Sequence, residues 1–212
     1  MTATSSSIRA FGHSPEPRED LVCAPRHLAI IPDGNRRWAR QHHLPLCDGH
    51  VAGARNFWRL IPTILDAGPH WVTLFLFSTE NWARGQAELA ALWEILANFF
   101  VDCAMQADRQ GFAARVIGDL ADERVPEPAR AAIVHATSAV PSNSSIVLTF
   151  AVNYGSVQDF TAAARRSSRS RGDPMQMLST SGMPPVDLLI RTGGNHRLSN
   201  FLEGYAKPSL KK

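Results

Sequence analysis

The stretch HLAIIPDGNRRWAR, from His27 to Arg40, decides how the fold of this chain is interpreted. The apolar residues 28–31 predict a short buried strand, and Pro32 ends it abruptly. A carboxylate, a glycine, an amide and two arginines follow, just before a helical-looking segment at 38–40. Free N–H groups at a helix start, a close backbone approach at glycine and forked arginine donors favour an anion site, and the aspartate can hold a cation. Taken alone, the stretch is equally compatible with an ordinary Asp-Gly turn whose arginines face solvent.

Length and composition describe a globular protein. The 212 residues are enough for one domain with a real hydrophobic core, and a hydrophobic fraction of 44% with five tryptophans is typical of folded chains. The net charge of +3 is compatible with small anionic ligands and with nucleic acid, so charge alone decides little. No apolar stretch approaches the roughly 18 residues of a membrane span.

The N-terminal residues differ from the rest of the chain. Residues 1–24 are rich in Ser and Pro and have no apolar signal core, so we expect a flexible tail ahead of a single domain at 25–212. Three cysteines, Cys23, Cys47 and Cys103, lack a C-x-x-C spacing and predict reduced thiols in a cytoplasmic protein. The eight histidines lie outside metal-binding H-x-x-x-H frames, so most are expected at the surface or as caps.

Strands alternate with helices along the chain. The predicted strands are 28–31, 71–77, 115–117, 146–152 and 186–190, and the predicted helices are 48–65, 87–110, 127–139 and 157–166. Pro62 is expected to kink or interrupt the first helix, and the basic segment 165–171 is expected to be a solvated loop. The alternation predicts an α/β domain with a mostly parallel central sheet flanked by helices.

Four of these strands end in clusters of polar residues. In a parallel sheet the carboxyl ends of the strands meet at one edge, where ligands bind. We therefore expect one anion-binding crevice formed by Asp33, Asn81, Arg84, Asn153, Arg191 and Arg197. A nucleotide enzyme would be one such protein, but the chain has neither a G-x-x-x-x-G-K-[ST] nor a G-x-G-x-x-G motif.

Six blocks of the sequence resemble the cis-prenyltransferase family, typified by undecaprenyl diphosphate synthase. They are HLAIIPDGNRRWA, DGHVAGA, TLFLFSTENWAR, RVIGD, VNYG and VDLLIRTGGNHRLSNF, in the family's order between residues 27 and 201. The resemblance implies a Mg²⁺-dependent condensation of isopentenyl diphosphate with an allylic diphosphate, giving a Z double bond. It also implies a hydrophobic tunnel for the chain and a homodimer that binds no nucleic acid and contacts membranes at most peripherally.

The resemblance implies a role for each matching residue. Asp33 would hold the Mg²⁺, and Asn81 would take part in proton removal. Because an amide is a poor base, we expect Asn81 to orient the substrate while diphosphate or water accepts the proton. The implied substrate-binding residues are Gly34, Asn35, Arg36, Arg37, Trp38 and His50 at the allylic diphosphate, Ser78, Thr79, Glu80, Trp82 and Arg84 in the catalytic loop, and Arg191, Arg197, Leu198 and Ser199 at the second diphosphate.

The sequence departs from the family pattern at three places and again at its C-terminal end. Leu46 stands where many members have a diphosphate-binding arginine, Asn195 replaces a usual glutamate, and Ser156 and Val157 replace a usual Gly-Arg pair. After Phe201 the family continues through a second metal-binding glutamate and a dimer-contact segment, whereas this sequence gives Glu203 at an unmatched position and a shortened C-terminal strand region. A catalytically impaired homologue, acting as a binding or regulatory subunit, is therefore the alternative to an active enzyme.

The predicted tunnel wall indicates the length of the product. Leu76 is bulky at a position where the family's long-chain members have a small residue. The helix predicted at 87–110 brings Trp93, Phe99 and Phe100, which add further bulk. We therefore expect a short-chain prenyl diphosphate.

Overall fold

The computed structural model describes residues 25–138, 144 and 146–204. The expected tail at 1–24, Cys23 and the residues after Gly204 lie outside the described residues. The strands are β1 (His27–Ile31), β2 (Trp71–Ser78), β3 (Phe112–Ile117), β4 (Ile146–Tyr154) and β5 (Leu188–Arg191). The helices are α1 (Asn35–Gln41), α2 (Leu46–Asp66), α3 (Gln86–Gln110), α4 (Glu127–Ser138) and α5 (Ser156–Ser170), with short 3₁₀ turns at Thr79–Ala83 and Pro174–Met177.

All five described strands run parallel in one sheet, in the order β3-β4-β2-β1-β5. The predicted α/β fold with a parallel central sheet is therefore confirmed. β1 lies between β2 and β5, and Ile31 at its end is in register with Arg191 at the end of β5. This register places the turn after β1 beside the turn after β5, and both turns carry predicted site residues.

The sheet is covered on both faces. The larger apolar cluster includes Phe57 of α2, Leu96 of α3 and Ile133 of α4, packed against one face. The smaller cluster lies on the other face, where the rings of Phe75 and Phe201 stack with centroids 4.4 Å apart. A strand covered on both sides has no polar face, which explains the unbroken apolar run in β2.

Helices α1 and α2 approach each other unusually closely at Gly49. A Cβ atom at Gly49 would lie 2.2 Å from the carbonyl oxygen of Asn35, so only glycine fits there. A Cβ at Gly53, one turn later, would lie 2.6 Å from Asn35 Oδ1. This contact brings the start of α1 against the first turns of α2, which carry His50.

The structure differs from the sequence expectations at three places. Pro62 does not interrupt α2, because Ile61, Ile64 and Leu65 pack against the core and hold the last turn. The basic segment 165–171 is not a loop: α5 continues to Ser170, and Arg166 is fixed by a 2.6 Å bond from its Nη2 to the Met177 carbonyl. His27 is an exception to the surface or capping positions expected for most histidines, because it is fully buried and its ring bonds to Thr73 Oγ1 at 2.8 Å.

Candidate active site

Two adjoining cavities lie at the carboxyl ends of β1, β2 and β5. Their volumes are about 300 Å³ and about 310 Å³. They share five wall residues, which are Pro32, Asp33, Asn35, His50 and Arg84. The two cavities therefore form one continuous site at the sheet edge predicted from the sequence.

The first cavity is polar at one end and apolar at the other. The polar end is lined by Asp33, Ser78, Asn81, Arg84, Arg191, Arg197 and Ser199. The apolar end is lined by Phe57, Leu74, Leu76, Leu92, Ile95, Leu96 and Phe99, from β2, α2 and α3. The second cavity adds the positive side chains of Arg36, Arg37 and Arg40. The arrangement suits a molecule with an anionic head and an apolar tail.

Asp33 is the centre of the polar end. Its Oδ2 accepts hydrogen bonds from Arg191 Nη2 at 2.9 Å, from Arg191 Nε at 3.1 Å and from Asn195 Nδ2 at 2.6 Å. Its Oδ1 accepts from the Gly34 N–H at 2.7 Å. Burial raises the pKa of Asp33, but the bonds from Asn195, Arg191 and Gly34 outweigh it and hold the pKa below its ordinary value. The carboxylate is therefore ionised at neutral pH.

Arg191 links the β5 end to the loop that follows it. Besides the paired contact with Asp33, its Nη1 donates to Ser199 Oγ at 2.8 Å and to the Arg197 carbonyl at 2.5 Å. Its side chain is 10% exposed, so the guanidinium is held almost entirely by the protein. The forked geometry of arginine lets one side chain fix three residues of the site at once.

The turns after β1 and β5 touch through glycines. Gly193 has a φ of +78°, and a Cβ there would lie 2.7 Å from Arg37 Nη2 and 2.9 Å from the Asp33 carbonyl. Arg37 in turn donates from Nη2 to the Gly193 carbonyl. Glycine is needed at Gly193 for both the left-handed backbone and the space.

His50 lies between positive groups and has no hydrogen-bond partner for its buried Nε2 among the described residues. Burial, together with the nearby Arg84 and Arg36 and against an opposing effect of Glu88, lowers its pKa to about 4. Glu88 pairs with Arg84 Nη1 at 2.7 Å and with Arg36 Nε at 3.6 Å. A neutral imidazole beside two arginines can donate a hydrogen bond to an anionic ligand that the arginines attract.

The 3₁₀ segment Thr79–Ala83, which we call the β2–α3 turn, presents Asn81 to the first cavity. Ser78 Oγ accepts from the Glu80 N–H at 3.1 Å, and Asn81 Oδ1 accepts from the Ser78 N–H at 3.0 Å. Because the oxygen of Asn81 is used by the backbone, the group it can offer a substrate is its amide N–H donor.

The described residues bring most of the predicted site together, with some exceptions. Trp38, Thr79, Trp82 and Leu198 lie outside the walls of both cavities. Trp38 is 39% exposed and stacks on His42 with ring centroids 4.2 Å apart.

The placement of Asn153 in the crevice is wrong. β4 extends two residues further than predicted, to Tyr154, so Asn153 lies inside the sheet and is 3% exposed. Its side chain bonds to Trp82 and Asp122 instead of facing the cavities.

The sequence patterns did not predict two charged residues near the site, Arg40 and Glu88. Arg40 lines the second cavity, and Glu88 pairs with two of its arginines. Helical spacing was the available signal, because Arg40 follows Arg36 by four residues and Glu88 follows Arg84 by four.

Comparison with known proteins identifies the family. A family model described as putative undecaprenyl diphosphate synthase matches residues 31–205. The chain belongs to this prenyltransferase family. A ditrans,polycis-undecaprenyl-diphosphate synthase ((2E,6E)-farnesyl-diphosphate specific) from Pseudomonas aeruginosa is 39% identical over 193 residues, which are 85% of this chain and 76% of the relative.

Solved structures of prenyltransferases share the fold. A lavandulyl diphosphate synthase from Lavandula x intermedia, in complex with dimethylallyl diphosphate, superposes with a TM-score of 0.78 at 31% identity, over 84% of this chain and 81% of that one. A probable undecaprenyl diphosphate synthase from Campylobacter jejuni gives a TM-score of 0.69 at 26% identity, over 86% and 83%. The resemblance drawn from the sequence blocks is therefore confirmed.

Asp33 is the carboxylate at the centre of the prenyltransferase site. Within residues 25–138, 144 and 146–204, no cluster of three or more His, Cys, Asp or Glu side chains could hold an ion. Asp33 lines both cavities, whereas the Glu203 carboxylate accepts from the Asn200 N–H at 2.9 Å. A single ionised carboxylate still fits Mg²⁺, which proteins often bind through one or two carboxylates together with substrate phosphates.

Among the described residues, none of the helices combines the length and the apolar character needed to cross a bilayer.

The lowered pKa of His50 predicts that the protein becomes less stable as the pH falls. The folded pKa is about 4 and the ordinary value is 6.5, so the unfolded chain binds the proton first as pH falls. His50 therefore lowers the free energy of unfolding progressively below about pH 6.5, and His50→Gln should lose less stability over that range. Urea denaturation of both proteins at pH 7.5 and pH 5.5 measures this. Any effect of His27 is common to both proteins and cancels in the comparison. If the difference in the free energy of unfolding between the two proteins did not change with pH, the lowered pKa of His50 would be contradicted.

Proposed function

We propose that this chain is a Mg²⁺-dependent cis-prenyltransferase that condenses isopentenyl diphosphate with an allylic diphosphate to form a Z-prenyl diphosphate. The observation that carries the proposal is the first cavity, which joins Asp33, Arg84 and Arg191 to an apolar wall of β2 and α3 residues. A prenyl diphosphate has the same two parts, an anionic head and an apolar tail. Membership of a family whose named relatives are synthases supports the proposal.

The allylic diphosphate belongs in the second cavity on this proposal. Departure of the diphosphate builds negative charge, and fixed positive donors that need no reorganisation stabilise it. Arg36, Arg37 and Arg40 line that cavity. His50, whose Nε2 has no hydrogen-bond partner within the described part of the chain, lines both cavities at their border. Gly34 and Asn35 place the backbone close to the same space.

The second diphosphate, on isopentenyl diphosphate, is assigned to Arg191, Arg197 and Ser199. All three line the polar end of the first cavity. Arg191 Nη1 donates hydrogen bonds to Ser199 Oγ and to the Arg197 carbonyl, so the protein's own contacts hold the group together. Charge-assisted bonds of this kind contribute about 1.5–3 kcal/mol each.

Asp33 is the residue proposed to hold Mg²⁺. When bound, the ion neutralises part of the diphosphate charge and favours departure of the leaving group. Arg191 and Asn195 both donate hydrogen bonds to Asp33 Oδ2, so we propose that substrate phosphates take over Arg191 and free the carboxylate. The low pKa of Asp33 keeps the carboxylate charged for this role.

Asn81 is proposed to orient the reacting groups. Its Oδ1 is held by the Ser78 N–H, so its amide donor is the part that can hold a diphosphate oxygen. An oriented diphosphate or a water then accepts the proton from isopentenyl diphosphate. Five further residues stay predictions as substrate contacts, namely Trp38, Thr79, Glu80, Trp82 and Leu198. Of these five, Glu80 lines the first cavity and the other four line neither cavity.

The size of the cavity favours a short product. About 300 Å³ is at the lower end of the range of about 300–1,000 Å³ that ligand pockets occupy. Leu76 and Phe99 line its apolar end, whereas Trp93 and Phe100 lie outside the cavity wall. A relative of similar fold is a lavandulyl diphosphate synthase bound to dimethylallyl diphosphate, which is consistent with a small allylic substrate here.

The remaining expectations concern the assembly and place of action. We propose a cytoplasmic homodimer, on the family resemblance and on the free Cys47 and Cys103. The alternative of a catalytically impaired subunit gains no support, since the relatives named above are synthases.

Removal of the Asn81 amide tests the reaction directly. Asn81→Ala should bind both substrates with little change in KM but lower kcat by about 100-fold, as removal of one preorganised donor does elsewhere. The assay follows labelled isopentenyl diphosphate with dimethylallyl, geranyl or farnesyl diphosphate, with and without Mg²⁺.

Two results of this assay decide the proposal. Wild-type product that forms only with Mg²⁺ supports it, and a wild-type protein inactive with every allylic substrate would reject it. Unchanged turnover of Asn81→Ala would remove Asn81 from the mechanism.

A smaller side chain at Leu76 should lengthen the product. Leu76→Ala opens the apolar end of the cavity, so the longest product should gain at least one isoprene unit. Leu89→Ala is the matched control, because Leu89 packs against the same core without lining the cavity. Mass spectrometry of dephosphorylated products measures the lengths, and long polyprenols from the wild-type protein would count against a short-chain product.

A further inference from the structure

Four side chains from three separate segments form a closed ring behind the β2–α3 turn. Trp82 Nε1 donates to Asn153 Oδ1 at 2.7 Å, and Asn153 Nδ2 donates to Asp122 Oδ2 at 3.2 Å. Asp122 pairs with Arg124, whose guanidinium carbon lies 4.5 Å from the centre of the Trp82 ring. We call these four residues, Trp82, Asp122, Arg124 and Asn153, the Trp82 brace.

Asn153 is the buried link of the brace. It is 3% exposed and has a φ of 49°, in the left-handed region that asparagine tolerates better than most residues. Its oxygen accepts from Trp82, and its amide donates both to Asp122 and to the Asp119 carbonyl at 2.8 Å. An amide is required because the position needs an acceptor on one side and donors on the other.

Arg124 closes the brace from the solvent side. Its Nε and Nη2 bond to the two oxygens of Asp122 at 2.9 Å and 2.6 Å, a paired geometry that holds the guanidinium plane. The hydrogen bond from Arg124 is the main reason that the pKa of Asp122 is lowered to about 2. The Trp82 ring also contacts Phe77 and Trp93, with centroids 5.1 Å and 5.4 Å away, so it is held by both apolar and cationic groups.

The brace holds the segment that carries the reaction residues. Trp82 follows Asn81 directly and precedes Arg84 by two residues, and both of these line the first cavity. Within the turn itself, the bonds between Ser78, Glu80 and Asn81 fix only its first half. In the second half, the Arg84 N–H donates to the Asn81 carbonyl at 3.0 Å, and Arg84 pairs with Glu88. Trp82 adds the contact that ties this half to the loop after β3, whose residues do not line the cavities.

We propose that Asp122, Arg124 and Asn153 are positioning residues that act through Trp82, holding the β2–α3 turn so that Asn81 and Arg84 face the substrates. The inference rests on the proposed condensation reaction and assigns none of the three a substrate contact. Arg124 is the residue to test, because its side chain is 60% exposed and its removal leaves the core intact.

Kinetics of Arg124 variants separate positioning from simple stability. Arg124→Ala should lower kcat by about tenfold or more, since small misplacements of reacting groups are costly, and change KM for either substrate by less than about twofold. Arg124→Lys, which keeps a cation over the Trp82 ring, should restore part of the loss. Arg165→Ala, which removes an exposed arginine of α5, is the matched control and should behave like the wild type.

Hydrogen exchange provides a readout that does not depend on activity. In Arg124→Ala the Glu80 and Arg84 amides, bonded to Ser78 Oγ and the Asn81 carbonyl, should exchange about fivefold faster or more, while core amides of β2 stay protected. Faster exchange with lower kcat supports the proposal. Unchanged exchange in the turn overturns it, and so does a loss of kcat that Arg165→Ala reproduces.

The two proposals can fail separately. If the wild-type protein shows no condensation while Arg124→Ala loosens only the β2–α3 turn, the reaction is wrong and the brace stands as a device that orders the turn. If the wild-type protein is active and Arg124→Ala matches it in kcat and exchange, the reaction stands and the brace is rejected.

Discussion

The paired contact between Asp33 and Arg191 is the interaction on which the site depends. Parallel pairing of β1 with β5 places Ile31 opposite Arg191, so a carboxylate two residues beyond Ile31 can reach the guanidinium. The contact, at 2.9 Å and 3.1 Å, joins the turns after both strands. Without Asp33 the neighbouring arginines of these turns would repel one another. One carboxylate therefore offsets part of the positive charge that the arginines of these turns bring together.

The same sheet edge explains why an apolar space adjoins the charged one. β2 is the central strand, with Leu74 and Leu76 reaching the cavity before the chain turns at Ser78 towards Asn81. Helix α3 returns over this strand and supplies Leu96 and Phe99. A single strand–turn–helix unit thus contributes to both the charged wall and the apolar wall. A ligand with a charged head and an apolar tail would place its head at the turn and its tail between β2 and α3.

Much of this organisation could be predicted from the sequence, because it depends on local pattern. Alternating strand and helix periods fixed the α/β class, and parallel strands necessarily gather their carboxyl ends at one edge. The position of Asn153 could not be predicted, since only tertiary pairing shows that β4 runs on to Tyr154. The helical state of residues 165–170 likewise depends on contacts, such as that of Arg166 with Met177, between segments 11 residues apart. The Trp82 brace joins three distant segments and leaves no periodic signal.

The most direct measurement is a crystal structure with Mg²⁺ and a non-reacting thio analogue of an allylic diphosphate. The account predicts the diphosphate between His50 and the arginines of α1, with the tail against Leu76 and Phe99. It also predicts that Asp33 Oδ2 leaves Arg191 and contacts the ion. An Asp33–Arg191 pair that stays intact while the analogue binds elsewhere would contradict the account.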